Sequence, residues 1–119
     1  MPENNTFTRD CRIIDAPAYR WTMGKRKSLY GKHFTMYYRQ HTLGYGRFGI
    51  IVSKANVKHA VDRNLIKRIS REWFRLNKGE LTSHSLVFVA KKSANTATRT
   101  ELVTCLETLA QKLNSLPLS

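Results

Sequence analysis

The sequence predicts an α+β protein in two layers, a small and mostly antiparallel sheet packed against helices. Three observations predict it. Short segments near residues 33–40, 48–53 and 85–91 carry the period or composition of strands. Two longer stretches, from Lys58 to Asn77 and from Thr98 to Leu113, repeat apolar residues at helical intervals. Their order, with a first short helix, is helix, two strands, helix, strand, helix. A length of 119 residues suits a single domain, 1–119, with residues 1–6 expected to be flexible and about 7–114 forming the folded core.

Taken in order, Asp15 is a good N-cap for a short helix that Pro17 tolerates in its first turn and Gly24 can end. Lys25 to Lys32 reads as a basic connector. His33 to Gln40 alternates, with Phe34, Met36 and Tyr38 on one side and Thr35, Tyr37 and Arg39 on the other. A turn at Gly44–Gly46 leads to Phe48–Ser53, which is expected to pair with the preceding strand as an antiparallel hairpin. Residues 78–83 break the long helix, and Ser85–Lys91 is a strand rich in β-branched and aromatic residues. Thr98 and Glu101 have capping-box spacing ahead of Leu102, Leu106, Leu109, Ala110 and Leu113. The alternation predicts one open, partly polar sheet face.

Charge sets the function class. Lys and Arg number 21 against 8 Asp and Glu, a net charge of +13. Such density costs self-repulsion that a polyanion relieves, and phosphate neutralisation would release counterions. Much of it lies on the long helix. At about 100° per residue, Val61, Leu65, Ile69, Trp73 and Leu76 form one arc, the predicted core face. Arg63, Asn64, Lys67, Arg68, Arg71 and Arg75 form the other. Like charges at i, i+4 weaken an isolated helix, so a rail of this kind points to a polyanionic partner.

Other classes fare worse. No apolar run approaches the ~20 residues of a membrane span, and the first residues lack a secretory pattern. Cys11 and Cys105 read as reduced thiols, and the expected compartment is cytoplasmic. Gly44-Tyr-Gly-Arg-Phe-Gly49 matches a dinucleotide pattern but falls between two strands, where no helix N-terminus meets a pyrophosphate. His33, His41, His59 and His84 lack ligand spacing; His33 and His41 read as strand-edge residues, His59 as a helix start and His84 as a loop residue. Asp10 and Asp15 straddle a helix start, and no other close pair of acids could hold a metal ion for hydrolysis. Ser53, Ser70 and Ser85 sit in no nucleophile motif, so no catalytic residue and no protein-bound metal are expected. Phe7, Tyr19 and Tyr37 could stack on bases, with Arg12, Arg39 and Lys54 holding phosphates; for each ring a core role is the alternative. Trp21 and Trp73 read as core.

These residues resemble the protein subunit of bacterial ribonuclease P. The most specific block is Ala60-Val-Asp-Arg-Asn-Leu-Ile-Lys-Arg-Ile-Ser-Arg-Glu-Trp-Phe74, similar to that family's arginine-asparagine-arginine helix. Supporting blocks are Phe7-Thr-Arg-Asp-Cys-Arg-Ile, Phe48-Gly-Ile-Ile-Val-Ser-Lys54 and Leu86-Val-Phe-Val-Ala-Lys-Lys92. The resemblance implies a left-handed β-α-β crossover, where pattern reasoning alone expects a right-handed one. It also implies an accessory role, in which a catalytic RNA subunit with bound Mg²⁺ removes the 5′ leader of precursor tRNA. The protein itself would bind no cofactor. By resemblance, Arg63, Asn64, Lys67, Arg68 and Arg71 would contact the RNA subunit, and Tyr19, Met23, Tyr37, Ser53 and Lys54 the leader, with Arg12 joining them as a phosphate-holding cation. The expected partners are that RNA and precursor tRNA, with no membrane and no obligatory protein partner.

Three positions depart from the family pattern. Leu65 stands where an arginine or similar polar residue is usual, Met23 where an aromatic is usual, and Ala55 where a second lysine follows Lys54. The helical projection places Leu65 in the apolar arc and so predicts its burial. The rival readings are a general structured-RNA-binding or ribosomal protein, a protein-only nuclease, and more distantly a DNA-binding protein.

Overall fold

The computed structural model describes residues 22, 24, 27–40, 46–77 and 84–115. Within them the chain forms β1 (Lys27–Tyr30), β2 (Phe34–Gln40), β3 (Arg47–Ile51), α1 (Ala60–Asn77), β4 (His84–Ala90), a 3-10 turn (Lys92–Thr96) and α2 (Arg99–Asn114). The predicted first helix falls mostly outside these residues. Thr22 and Gly24 are helical, and Thr22 is fully buried.

The strands form one sheet in the order β1-β2-β4-β3. β1 pairs antiparallel with β2, and β2 antiparallel with β4, from Phe34 opposite Ala90 to Gln40 opposite His84. β3 lies parallel to β4, with Phe48 opposite Leu86 and Ile51 opposite Val89. The two-layer α+β reading therefore holds, and two of its details change. The basic connector contains strand β1, whose KSLY has no run of strong strand formers and is held by pairing with β2. β3 is no hairpin partner of β2, because β4 inserts between them and α1 bridges the parallel pair.

Alternation on β2 puts Phe34 and Met36 at zero exposure, and they meet Phe88 from β4. Phe48 stacks on Phe74 of α1 with ring centres 4.9 Å apart, and Trp73 meets Phe88 edge-on at 5.9 Å. These rings set the rotation of α1. The helix buries Ile66, Ile69, Ser70, Trp73 and Phe74, while Val61, Leu65 and Leu76 are exposed. The core face is thus turned by roughly 90° from the arc drawn on the sequence. Ser70 is tolerated inside because its hydroxyl donates to the Ile66 carbonyl at 2.8 Å.

The capping box forms as expected, with the Glu101 amide donating to the Thr98 hydroxyl and the Thr98 amide to the Glu101 carboxylate. That second bond, first among several causes, holds the Glu101 carboxyl below its ordinary value. α2 buries Leu102, Cys105, Leu106, Leu109 and Leu113. Cys105 is a free buried thiol. α1 packs over β3, and α2 over β1 and β2.

The sheet's second face departs from expectation as well. Thr35, Ser85 and Val87 are buried there, so the face is covered at its centre rather than open. Among the described residues no helix is long and apolar enough to cross a membrane.

Candidate nucleic-acid interface

The rotation of α1 divides its cations. Asn64, Arg68 and Arg71 stand exposed in a row, whereas Arg63, Lys67 and Arg75 are half-buried. Of the two acids, Glu72 is drawn aside by Arg99 of α2 at 2.8 Å, and Asp62 is half-buried beside a groove. No carboxylate among the described residues pairs with Lys67, Arg68 or Arg71. The outward face is a positive ridge without local neutralisation.

Leu65 belongs to this outward face, being 40% exposed, so the burial expected of it is overturned. The physical reason is the inward turn of Ile66 and Phe74. Leu65 lines a groove of about 310 Å³ with Asp62, Asn95 and Arg99, between α1, the 3-10 turn and α2.

The connector from β3 to α1 is tightly built. The Ser53 carbonyl accepts from the Asn56 and Val57 amides at 3.2 and 2.9 Å, and the Ser53 hydroxyl also accepts from the Asn56 amide. The Asn56 side chain donates to the Ala90 carbonyl at the end of β4. Arg63 closes the other end, its Nη1 donating to the carbonyls of Val57 and Lys58. The connector holds Lys54 and Lys58 out in solvent just before the cationic ridge. His59 is exposed there and, as expected, immediately precedes the helix.

Tyr37 lies on the other face of the sheet. Tyr37, Val87 and Gly49 form one cross-strand row, and Ser53 lies two residues past the end of β3. On this face Arg39 and Arg47 both sit opposite Ser85, whose hydroxyl accepts from Arg47 Nε at 3.0 Å. Arg47 is a cation that sequence reasoning missed. Its signal lay hidden in the glycine-rich turn pattern, since only the parallel register of β3 brings it level with Arg39. The last residues of that pattern, Arg47 to Gly49, begin strand β3 and open no helix, against a dinucleotide loop; Gly44 and Tyr45 of the expected turn lie outside the described residues.

Arg12, Tyr19 and Met23 lie outside the described residues, as do Phe7, Cys11, Trp21 and His41. Of the remaining histidines, His33 is buried in the β1–β2 turn and His84 begins β4, so neither is the edge or loop residue expected. His84 packs edge-on against Tyr38 with ring centres 5.9 Å apart, and burial lowers its pKa from 6.5. Among the described residues no three of His, Cys, Asp and Glu come together in a metal-binding group.

Comparison with known proteins finds relatives over nearly the whole sequence. The family model described as Ribonuclease P matches residues 7–114. The ribonuclease P protein component of Coxiella burnetii is 34% identical over 107 residues, 90% of this chain and 88% of that protein. Its counterpart from Vibrio cholerae is 36% identical over 108 residues, covering 91% and 92%. Among solved structures, a Staphylococcus aureus RNase P protein, in a mutant form with defective mRNA degradation activity, superposes with a TM-score of 0.80. It is 26% identical, over 89% of this chain and 90% of that one. A basic ridge on α1, the β-α-β unit that carries it and a match spanning nearly the whole sequence lead to one conclusion: this chain belongs to the ribonuclease P protein component family.

Proposed function

We propose that this protein is the RNA-binding accessory subunit of a cytoplasmic ribonuclease P, assisting a catalytic RNA in removing the 5′ leader from precursor tRNA. The observation that carries the reading is the exposed row Asn64, Arg68 and Arg71, joined through Arg63 to the connector that presents Lys54. The row offers cations and an amide to a folded RNA, where each phosphate contact adds salt-dependent affinity. Tyr37 supplies a ring on the sheet's other face and Ser53 a hydroxyl beyond β3 for a single strand, with Arg12, Tyr19 and Met23 completing the leader site.

On this reading the protein works by electrostatics and positioning. It lowers repulsion between two RNAs and holds the leader, while Mg²⁺ bound by the RNA supplies the chemistry of phosphodiester cleavage. No protein side chain enters the bond-breaking step. The protein binds no metal of its own and needs no second protein.

The test is reconstitution with a bacterial ribonuclease P RNA at low magnesium. Accurate leader removal should be far faster with the protein than without it, and the protein alone should cleave nothing. Cleavage by the isolated protein, or no stimulation of the RNA, would remove this function.

A further inference from the structure

Helical spacing places one acid inside the cationic ridge. On α1, Glu72 stands four residues after Arg68 and three before Arg75, the separations at which helical side chains meet. Asp62, the other acid of α1, lies about three turns earlier and has no ridge cation at either separation. A carboxylate placed like Glu72 should lie across both arginines and blunt them toward phosphate. It does not. Glu72 Oε1 instead accepts from Arg99 Nη2 at 2.8 Å.

Arg99 reaches Glu72 from a second element. It is the first residue of α2, fixed there by the Thr98–Glu101 capping box and by buried Leu102. It lines the groove between the helices together with Leu65 and Ile69 of α1, so the pair draws Glu72 toward α2. The pair does little for folding. Its side chains are 64% and 44% exposed, and an ion pair that wet contributes little to stability. Its effect falls on the ridge, where Arg68, Arg71 and Arg75 keep no carboxylate partner among the described residues.

We infer that Arg99 is a positioning residue of the RNA interface. By holding Glu72 against α2, it keeps that carboxylate from neutralising Arg68 and Arg75 where an RNA backbone would meet them. An acid loose on this face would compete with each phosphate for the same guanidinium groups. RNA binding by α1 then depends on a residue outside the signature helix, 27 positions from the acid it restrains. The inference rests on the proposed function, because the ridge is the same.

The test is filter binding of full-length variants to a bacterial ribonuclease P RNA across a salt series. Arg99→Ala should weaken binding about threefold or more and lower the salt slope by about one. Glu72→Gln alone should stay within about twofold of the natural sequence, because the acid is already held aside. Arg99→Ala combined with Glu72→Gln should restore both affinity and slope, and Arg99→Lys should bind normally. A merely structural tie between the helices would not give such rescue. Three outcomes overturn the inference. Normal binding by Arg99→Ala means that a released Glu72 does not reach the ridge. Failure of Glu72→Gln to rescue means that Arg99 meets the RNA itself. Equal and opposite effects of the two single changes, cancelling in the pair, mean that only net charge counts. Arg68→Ala is the separate check on the proposed function. It should lose RNA affinity whatever Arg99 does, and unchanged binding would remove the ridge from RNA recognition and this inference with it.

Discussion

Arg63 donates from Nη1 to the Lys58 carbonyl oxygen at 2.9 Å, and the same nitrogen reaches Val57 at 3.1 Å. The first arginine of the signature helix is therefore committed at one nitrogen to its own backbone, where it fixes the connector that carries Lys54. Losing two charge-assisted bonds should cost about 1–3 kcal/mol, so Arg63→Ala is expected to unfold at lower urea concentration. Arg71, exposed on the ridge, should behave oppositely. Arg71→Ala should change stability by less than ~0.5 kcal/mol, yet reduce the salt slope of RNA-subunit binding by about one. Equal stability for the two variants would show that the Arg63 bonds contribute little.

Leu65 sits 40% exposed on the outward face, beside Arg68 and across a groove from Arg99. Leu65→Arg should be nearly neutral for folding, within ~0.5 kcal/mol, because no core contact is lost. The added guanidinium should tighten binding to ribonuclease P RNA and steepen the salt dependence by about one phosphate contact. Filter binding across a salt series would measure both. A marked loss of stability would mean that Leu65 packs more tightly than its exposure implies.

The helix shows why some of this was legible in sequence and some was not. Composition revealed the ridge, since charge counts and helical spacing are local properties. Which third of the cylinder faced inward was not local. Val61, Leu65 and Leu76 are as apolar as Ile66 and Phe74, and only the ring positions of Phe48 and Phe88 on the sheet decide between them. The same holds for β1, where Lys27-Ser-Leu-Tyr30 becomes a strand because β2 offers a free edge. The parallel register of β3, which levels Arg47 with Arg39, depends on β4, more than thirty residues later in the chain. Capping at Thr98 and Glu101 was fully legible, because both partners lie within one turn.

His84 makes stability depend on pH. Burial opposes its protonation, so the folded ring titrates below the ordinary 6.5. As pH falls through 6.5 the unfolded chain takes up a proton that the folded chain still refuses. Stability should therefore be present in full above that pH and decline below it, until the folded ring also protonates. Urea unfolding at about pH 7.5 and about pH 5.5 should show a smaller loss for His84→Gln than for the natural sequence. Identical pH profiles for the two would place the titrating group elsewhere.

Gly31 occupies the tightest point of the β1–β2 turn. Its amide donates to the Phe34 carbonyl at 2.8 Å, and a Cβ there would stand 2.8 Å from Cys105 Sγ, 3.0 Å from the Phe34 oxygen and 3.1 Å from Leu109 Cδ1. Two of these neighbours are buried side chains of α2, and the third is backbone, so the turn and the helix must separate to admit a methyl group. Gly31→Ala should cost about 1–3 kcal/mol, the usual penalty of overpacking. Cys105→Ala in the same chain removes the nearest clash and should recover part of that loss, but not all, because the Phe34 oxygen cannot retreat without breaking the turn. A double-mutant cycle by urea unfolding measures the coupling directly. Strict additivity of the two substitutions would mean that the turn and α2 are not in the close contact on which the packing of this edge depends.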